Sequence, residues 1–299
     1  MANILILGGT GLIGAALAQR LTPAHQVTVT YAHNAQGYDP QRCAGCALDV
    51  TEAAAPLQLM QAIRPAVVFH AAGHANVDFC ERNPEAAHRS NVLGTAHVID
   101  ACRAVGARLI YISTNAVFDG EHAPYDESAT PHPLNRYGQF KLAGEQLVAA
   151  SGLDYAIARL ILSYGWQPPG ARLNPLSWIV ASLQQGKALN LVNDVYENPL
   201  WAASAAEGLW AIAERGRQTL YHLAGATILN RYDFAVAVAH AFGLPLHLLT
   251  PVPSAFFPSI APRPKNTSYL TTRLQTELGW QPVSIAEGLA QAFASRPVT

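Results

Sequence analysis

The chain predicts an α/β architecture, a doubly wound parallel sheet followed by a smaller carboxyl-terminal α/β lobe, on three observations. An apolar strand opens the chain and runs straight into the glycine-spaced turn Gly8-Gly9-Thr10-Gly11-Leu12-Ile13-Gly14, which leads into a helical pattern. Apolar β-like segments then alternate with helical ones to about residue 160, as in a parallel sheet covered on both faces. Beyond residue 162 the alternation loosens into proline-rich connections such as Gln167-Pro-Pro-Gly170 and Pro251-Val-Pro253. The division is therefore expected at 1–161 and 162–299, with some later segments returning to the first unit.

Composition bounds the function. The 299 residues are 50% hydrophobic and 13% charged, enough to bury a large core. Net charge is −1 and no basic run resembles a phosphate-backbone track, which speaks against a nucleic-acid partner. No apolar run reaches the roughly 18 residues of a membrane helix. The apolar start carries no Lys or Arg before it, unlike a signal peptide. Four scattered cysteines fit a reducing cytoplasm, the expected location. Cys43-Ala-Gly-Cys46 lacks a second pair at metal spacing and reads as two thiols in the connection before a strand ending at Leu48. The eleven histidines are dispersed, and no metal site is expected.

The elements follow in order. A strand over 3–7 meets the glycine turn, in which Gly8, Gly11 and Gly14 remove side chains where the backbone turns, nears a pyrophosphate or packs helix on strand. The helix over 12–21 aims its amino-terminal dipole at that pyrophosphate. Thr10, Leu12 and Ile13 belong to the same dinucleotide cradle. A strand over 26–31 ends in Tyr31-Ala32-His33-Asn34, without the Asp or Glu that grips an adenosine 2′-hydroxyl. NADPH is favoured on that ground, with NADH the alternative; no Arg follows, and His33 is either a cofactor contact or an exposed loop residue. Asp49 and Val50, after the third strand, reach the adenine, or Asp49 caps the helix over 53–63. A strand over 66–70 ends in Ala71-Ala72-Gly73, small enough for a cofactor to lie on backbone, or simply a tight turn.

A helix over 84–104 leads to a strand over 107–113, whose carboxyl end presents Ser113, Thr114 and Asn115 where such sheets concentrate their chemistry. Near the start of a helix over 135–150, Tyr137 and Lys141 stand four apart on one face. A Lys ammonium there is expected to lower the phenol pKa and to hold a nicotinamide ribose. A strand over 154–160 completes the first unit, and helices near 174–185, 204–215 and 231–242 populate the second.

Nearly end to end, the chain resembles the extended short-chain dehydrogenase/reductases and, within them, the dTDP-4-dehydrorhamnose reductase group. The resemblance rests on the glycine turn, Ile112-Ser-Thr114-Asn115-Ala-Val117-Phe118-Asp119-Gly120 and Pro133-Leu-Asn135-Arg-Tyr137-Gly138-Gln-Phe-Lys141-Leu-Ala-Gly-Glu145. Later motifs add to it: Asn193-Asp194-Val-Tyr196-Glu-Asn198-Pro199, Tyr221-His222-Leu223-Ala224-Gly225 and Arg263-Pro264-Lys265-Asn266. The resemblance implies an NAD(P)H-dependent reductase of a nucleotide-linked 4-keto-6-deoxy sugar. Thr114 would orient the keto oxygen, Tyr137 would donate the proton and Lys141 would bind ribose, while Asn91 would join the cofactor site. Asn115, Asn174, Arg263, Lys265 and Asn266 would meet the substrate, the cations suiting a diphosphate, although Arg263 is equally read as a surface salt-bridge residue; a homodimer is implied. The group carries Asp-Tyr after its catalytic Thr where this chain has Asn115-Ala116, and other residues where Val195, Glu197 and Leu200 stand. Two alternatives are a reductase of another ketone and a non-catalytic NADP-binding regulatory subunit, as the related methionine adenosyltransferase β subunit is.

Overall fold

The computed structural model describes residues 1–258 and 260–297. Its centre is the predicted doubly wound sheet, seven strands that all pair in parallel. In chain order these are β1 (Asn3–Leu7), β2 (Gln26–Tyr31), β3 (Ala44–Ala47), β4 (Val67–His70), β5 (Arg108–Thr114), β6 (Tyr155–Leu160) and β7 (Leu220–Leu223). They lie side by side as β7-β6-β5-β4-β1-β2-β3. The order reverses between β1 and β4, and a crevice opens beyond the carboxyl ends of the strands at that switch point.

Strand alternation distributes the core to both faces. Ile4 and Ile6 pack with α1 (Leu12–Leu21) and α8 (Ala202–Arg215) through Leu17, Leu21, Leu209 and Ile212. Leu5 and Leu7 face α2 (Ala54–Ile63), α5 (Gly94–Val105) and α6 (Arg136–Ala149) through Met60, Val98 and Val148. Each such buried aliphatic contributes about 1.5–3 kcal/mol relative to exposure. A third core, with Tyr164, Leu176, Ile179, Phe234, Val238 and Leu289, holds α7 (Pro175–Gln184), α9 (Arg231–Phe242) and α10 (Ile285–Ala294) together. Strand β7 and helix α8 come from the second half of the chain yet pack on the central sheet.

The helix expected over 84–104 is three pieces: α4 (Pro84–His88), a π-helical turn over Arg89–Leu93, and α5. The wider turn holds Asn91, which is buried; its side chain accepts from the His74 N–H (2.8 Å) and donates to the His74 carbonyl (3.0 Å). A short α3 (Val77–Arg82), capped by Asn76, precedes it. Cys46 lies within β3, not in the connection before it, and all four cysteines are free. Among the described residues no helix is long and apolar enough to cross a membrane.

Candidate active site

The glycine turn joins β1 to α1 in the crevice. A Cβ on Gly14 would meet the Gly8 carbonyl oxygen at 2.4 Å, and one on Gly8 would meet Ala71 and Ala72 backbone at 3.0 Å. No side chain caps α1, so its first N–H groups point to an incoming anion. The floor is backbone, and the fit to a dinucleotide pyrophosphate rests on these two observations.

From this cradle the groove runs both ways. Toward β5 it is lined by Gly8, Gly11, Leu12, Ile13, Gly14, Ala71, Ala72, Gly73 and Asn91, and ends at Thr114, Tyr137 and Lys141, enclosing about 340 Å³. Toward β2 and β3 it is lined by Thr10, His33, Asp49 and Val50 and shares the backbone of Gly8, Gly11 and Ala71–Gly73. All the sequence-predicted cofactor residues thus line one continuous channel.

Asn135 caps α6 by accepting from Gly138 N–H (3.0 Å). A Cβ on Gly138 would meet the Ala116 carbonyl oxygen at 2.1 Å, so only glycine lets α6 lie against the turn after β5 and bring Tyr137 to Thr114. Thr114 is buried and Tyr137 half-buried. Burial pushes the Tyr137 phenol up to about 12, while the Thr114 hydroxyl beside it pulls the other way.

Here the expectation of a Lys-lowered phenol is corrected. Lys141 is buried; its Nζ donates to the Ile112 carbonyl (2.6 Å) and lies 4.0 Å from the Tyr111 ring centroid. Desolvation drives this ammonium down to about 7 against the help of Glu145. Its weakened charge does not counter the burial of the phenol, which stays protonated at neutral pH.

Behind the hydroxyls lies a buried charged cluster. Ser113 Oγ donates to Glu145 Oε1, and Arg159 engages both Glu145 oxygens at 2.8 and 2.6 Å. His222 stands 3.5 Å from the guanidinium and stacks on Tyr269 at 3.9 Å between ring centroids. Burial and Arg159 hold His222 down to about 3, and burial with Lys141 does the same to His70.

The proposed substrate residues are placed otherwise. Asn115 donates to Thr267 Oγ1 at 2.6 Å, tying the end of β5 to the 261–270 segment. Asn174 lines a larger cavity of about 950 Å³ in the second lobe, but its amide caps α7 and donates to Gly165 O and Gln167 Oε1. Arg263 pairs with Asp78 at 3.0 Å, Lys265 with Asp194 and Ser254, and Asn266 accepts from Ser268. Arg263, Lys265 and Asn266 line neither half of the cofactor channel. Glu197, one of the departures from the family pattern, pairs with Arg231 at 2.7 Å.

Sequence reasoning missed Ala75 and Ser163, which line both the catalytic end of the channel and the second-lobe cavity and so join the two. Ser163 follows β6 by three residues, and the rule that ligands gather beyond strand carboxyl ends was the available signal. It also missed Arg89, in the π-helical turn at the opposite end.

Comparison with known proteins agrees with this geometry. The family model described as RmlD substrate binding domain matches residues 1–296. Methionine adenosyltransferase 2 subunit beta of Mus musculus is 30% identical over 92% of this chain and 82% of its own length. dTDP-4-dehydrorhamnose reductase of Mycobacterium tuberculosis is 33% identical over 79% of this chain and 77% of its own. The crystal structure of dTDP-4-dehydrorhamnose reductase from Bacillus anthracis, in complex with NADP, superposes with TM-score 0.86 and 27% identity, covering 99% of each chain. Its glycine cradle, its Tyr/Lys helix and a family match spanning nearly every residue agree: the chain belongs to the RmlD substrate binding domain family, within the extended short-chain dehydrogenase/reductases.

Proposed function

We propose that this protein is an NADPH-dependent reductase of a nucleotide-linked keto sugar, with a 4-keto-6-deoxy sugar as the substrate class. The observation that carries the reading is the convergence of Thr114, Tyr137 and Lys141 at one end of a dinucleotide channel that opens, past Ala75 and Ser163, into the second-lobe cavity. Bound reduced nicotinamide supplies the hydride. The Tyr137 phenol, protonated at neutral pH, donates its proton to the keto oxygen as negative charge develops there, and the Thr114 hydroxyl hydrogen-bonds the same oxygen. Lys141, fixed by the Ile112 carbonyl, holds the ribose end of the cofactor. Asn115-Ala116 offers no carboxylate beside Thr114, which favours simple reduction over dehydration.

NADPH and NADH oxidation with a panel of nucleotide-linked 4-keto-6-deoxy sugars, the dTDP-rhamnose precursor among them, tests this. Turnover is expected, faster with NADPH. A second reading, a non-catalytic NADP-binding regulatory subunit, is favoured by the 30% identity to methionine adenosyltransferase 2 subunit beta. Stoichiometric co-purification with a larger enzyme, without oxidation of NADPH by any ketone, would select it.

A further inference from the structure

We propose that Arg89 is the residue that recognises the 2′-phosphate of NADPH, doing from the π-helical turn what this chain lacks at the end of β2. The inference rests on the reading of the channel as a dinucleotide site and says which group selects between the two dinucleotides. Ala86, Arg89 and Ser90, spaced as one helical face, line the adenosine end. Ala86 contributes only a methyl group there and leaves room for the guanidinium. His33, just after β2, lines the same end.

Among the described residues Arg89 makes no ion pair and no side-chain hydrogen bond, and it is exposed. Its neighbours differ: Arg82 donates to the Asp78 carbonyl and Arg103 pairs with Asp100. A guanidinium presents a planar fork of donors suited to phosphate oxygens. Burial, and then the charge of His33, hold the His74 imidazole below its ordinary value, with Asp49 acting in the opposite sense. Asp49 is the acid lining this end, and its Oδ1 is engaged by the Thr51 N–H at 2.8 Å. With no carboxylate after Tyr31 to accept from a free 2′-hydroxyl, this end is built for an anion.

Calorimetric binding of NADPH and NADH, and of 2′-phospho-ADP-ribose and ADP-ribose, to the wild-type protein and to Arg89→Ala and Arg89→Glu tests this without turnover. Arg89→Ala should weaken NADPH and 2′-phospho-ADP-ribose about 10- to 100-fold, the range of a lost charge-assisted hydrogen bond. NADH and ADP-ribose should move by less than about twofold, and Arg89→Glu should bind NADH more tightly than NADPH. Equal weakening of both members of each pair, or no change in either, overturns the assignment. Equal wild-type affinity for NADPH and NADH overturns it while leaving the dinucleotide reading intact. If neither dinucleotide binds the wild-type protein, the channel reading fails and the assignment fails with it.

Discussion

Along the cofactor channel the cradle itself is backbone and small side chains: Gly8, Gly11, Gly14, Ala71, Ala72 and Gly73. The 261–270 segment, which lines neither half of that channel, is the reverse. Most of its polar side chains are already engaged, Arg263 with Asp78, Lys265 with Asp194, Asn266 with Ser268 and Thr267 with Asn115, while the buried Tyr269 hydroxyl has no hydrogen-bond partner among the described residues. The difference is physical. A dinucleotide is held by N–H groups and a helix dipole, which require side chains to be absent. A segment that joins two lobes must satisfy its own polar groups before any ligand arrives. Substitutions on the channel side should therefore act on chemistry, and substitutions on the other side on stability and lobe contact.

The largest expected effect would break the comparison if it failed. Tyr137→Phe removes the proton donor and leaves the channel wall, so NADPH oxidation with the true ketone should fall by about 10²- to 10⁴-fold while NADPH binding, read by fluorescence, stays near wild type. Undiminished turnover would remove Tyr137 from the proton-donor role.

Next comes the charged cluster behind that wall. Glu145 and Arg159 are both buried and doubly bonded. Glu145→Ala strands a buried guanidinium and should cost about 3–5 kcal/mol, measured by urea unfolding. Replacing both partners by apolar residues should recover much of it. Failure of the single variant to destabilise would mean that water reaches Arg159.

Legibility followed sequence distance. The sheet through β6, the cradle and the Tyr137/Lys141 pair are local patterns, read within a few residues of each other. The π-helical break was not legible, because it goes with Asn91 turning to the backbone of His74, beyond the carboxyl end of β4. Nor was β7, whose four residues pair with β6 more than sixty positions away. The six residues of α3 are too few to show a period. The resemblance places Arg263 at the substrate, with a surface salt bridge as the alternative; the structure shows the ion pair, whose partner Asp78, 185 residues apart, appears only in three dimensions.

Acid should separate the two sides by a smaller margin. His70 and His222 are both held down to about 3 in the fold, from an ordinary value of 6.5. Above pH 6.5 both are neutral folded or unfolded and contribute nothing to the pH dependence. As pH falls below 6.5 the unfolded chain takes up protons that the fold refuses, and stability declines until about pH 3. Urea midpoints between pH 7 and 4.5 should fall, less steeply in His70→Asn. A flat profile would mean that both rings are protonated in place.

The smallest effect concerns the contact between the lobes. Asp78 Oδ1 accepts from Arg263 at 3.0 Å and from the Ala261 N–H at 3.3 Å, while Asn135 Nδ2 donates to the Pro262 carbonyl at 3.0 Å. Three successive residues of the second half are thus fastened to α3 and to the cap of the helix bearing Tyr137. Arg263 and Asp78 are both partly exposed, so Asp78→Ala should cost no more than about 1 kcal/mol in global stability. Its consequence would reach the catalytic end through the segment's ties to Asn115 and to Asn135. KM for the ketone should rise a few-fold, with kcat within about twofold and NADPH affinity unchanged. A matching loss of NADPH affinity would show that this segment also shapes the cofactor channel, and the contrast between channel and segment would no longer stand.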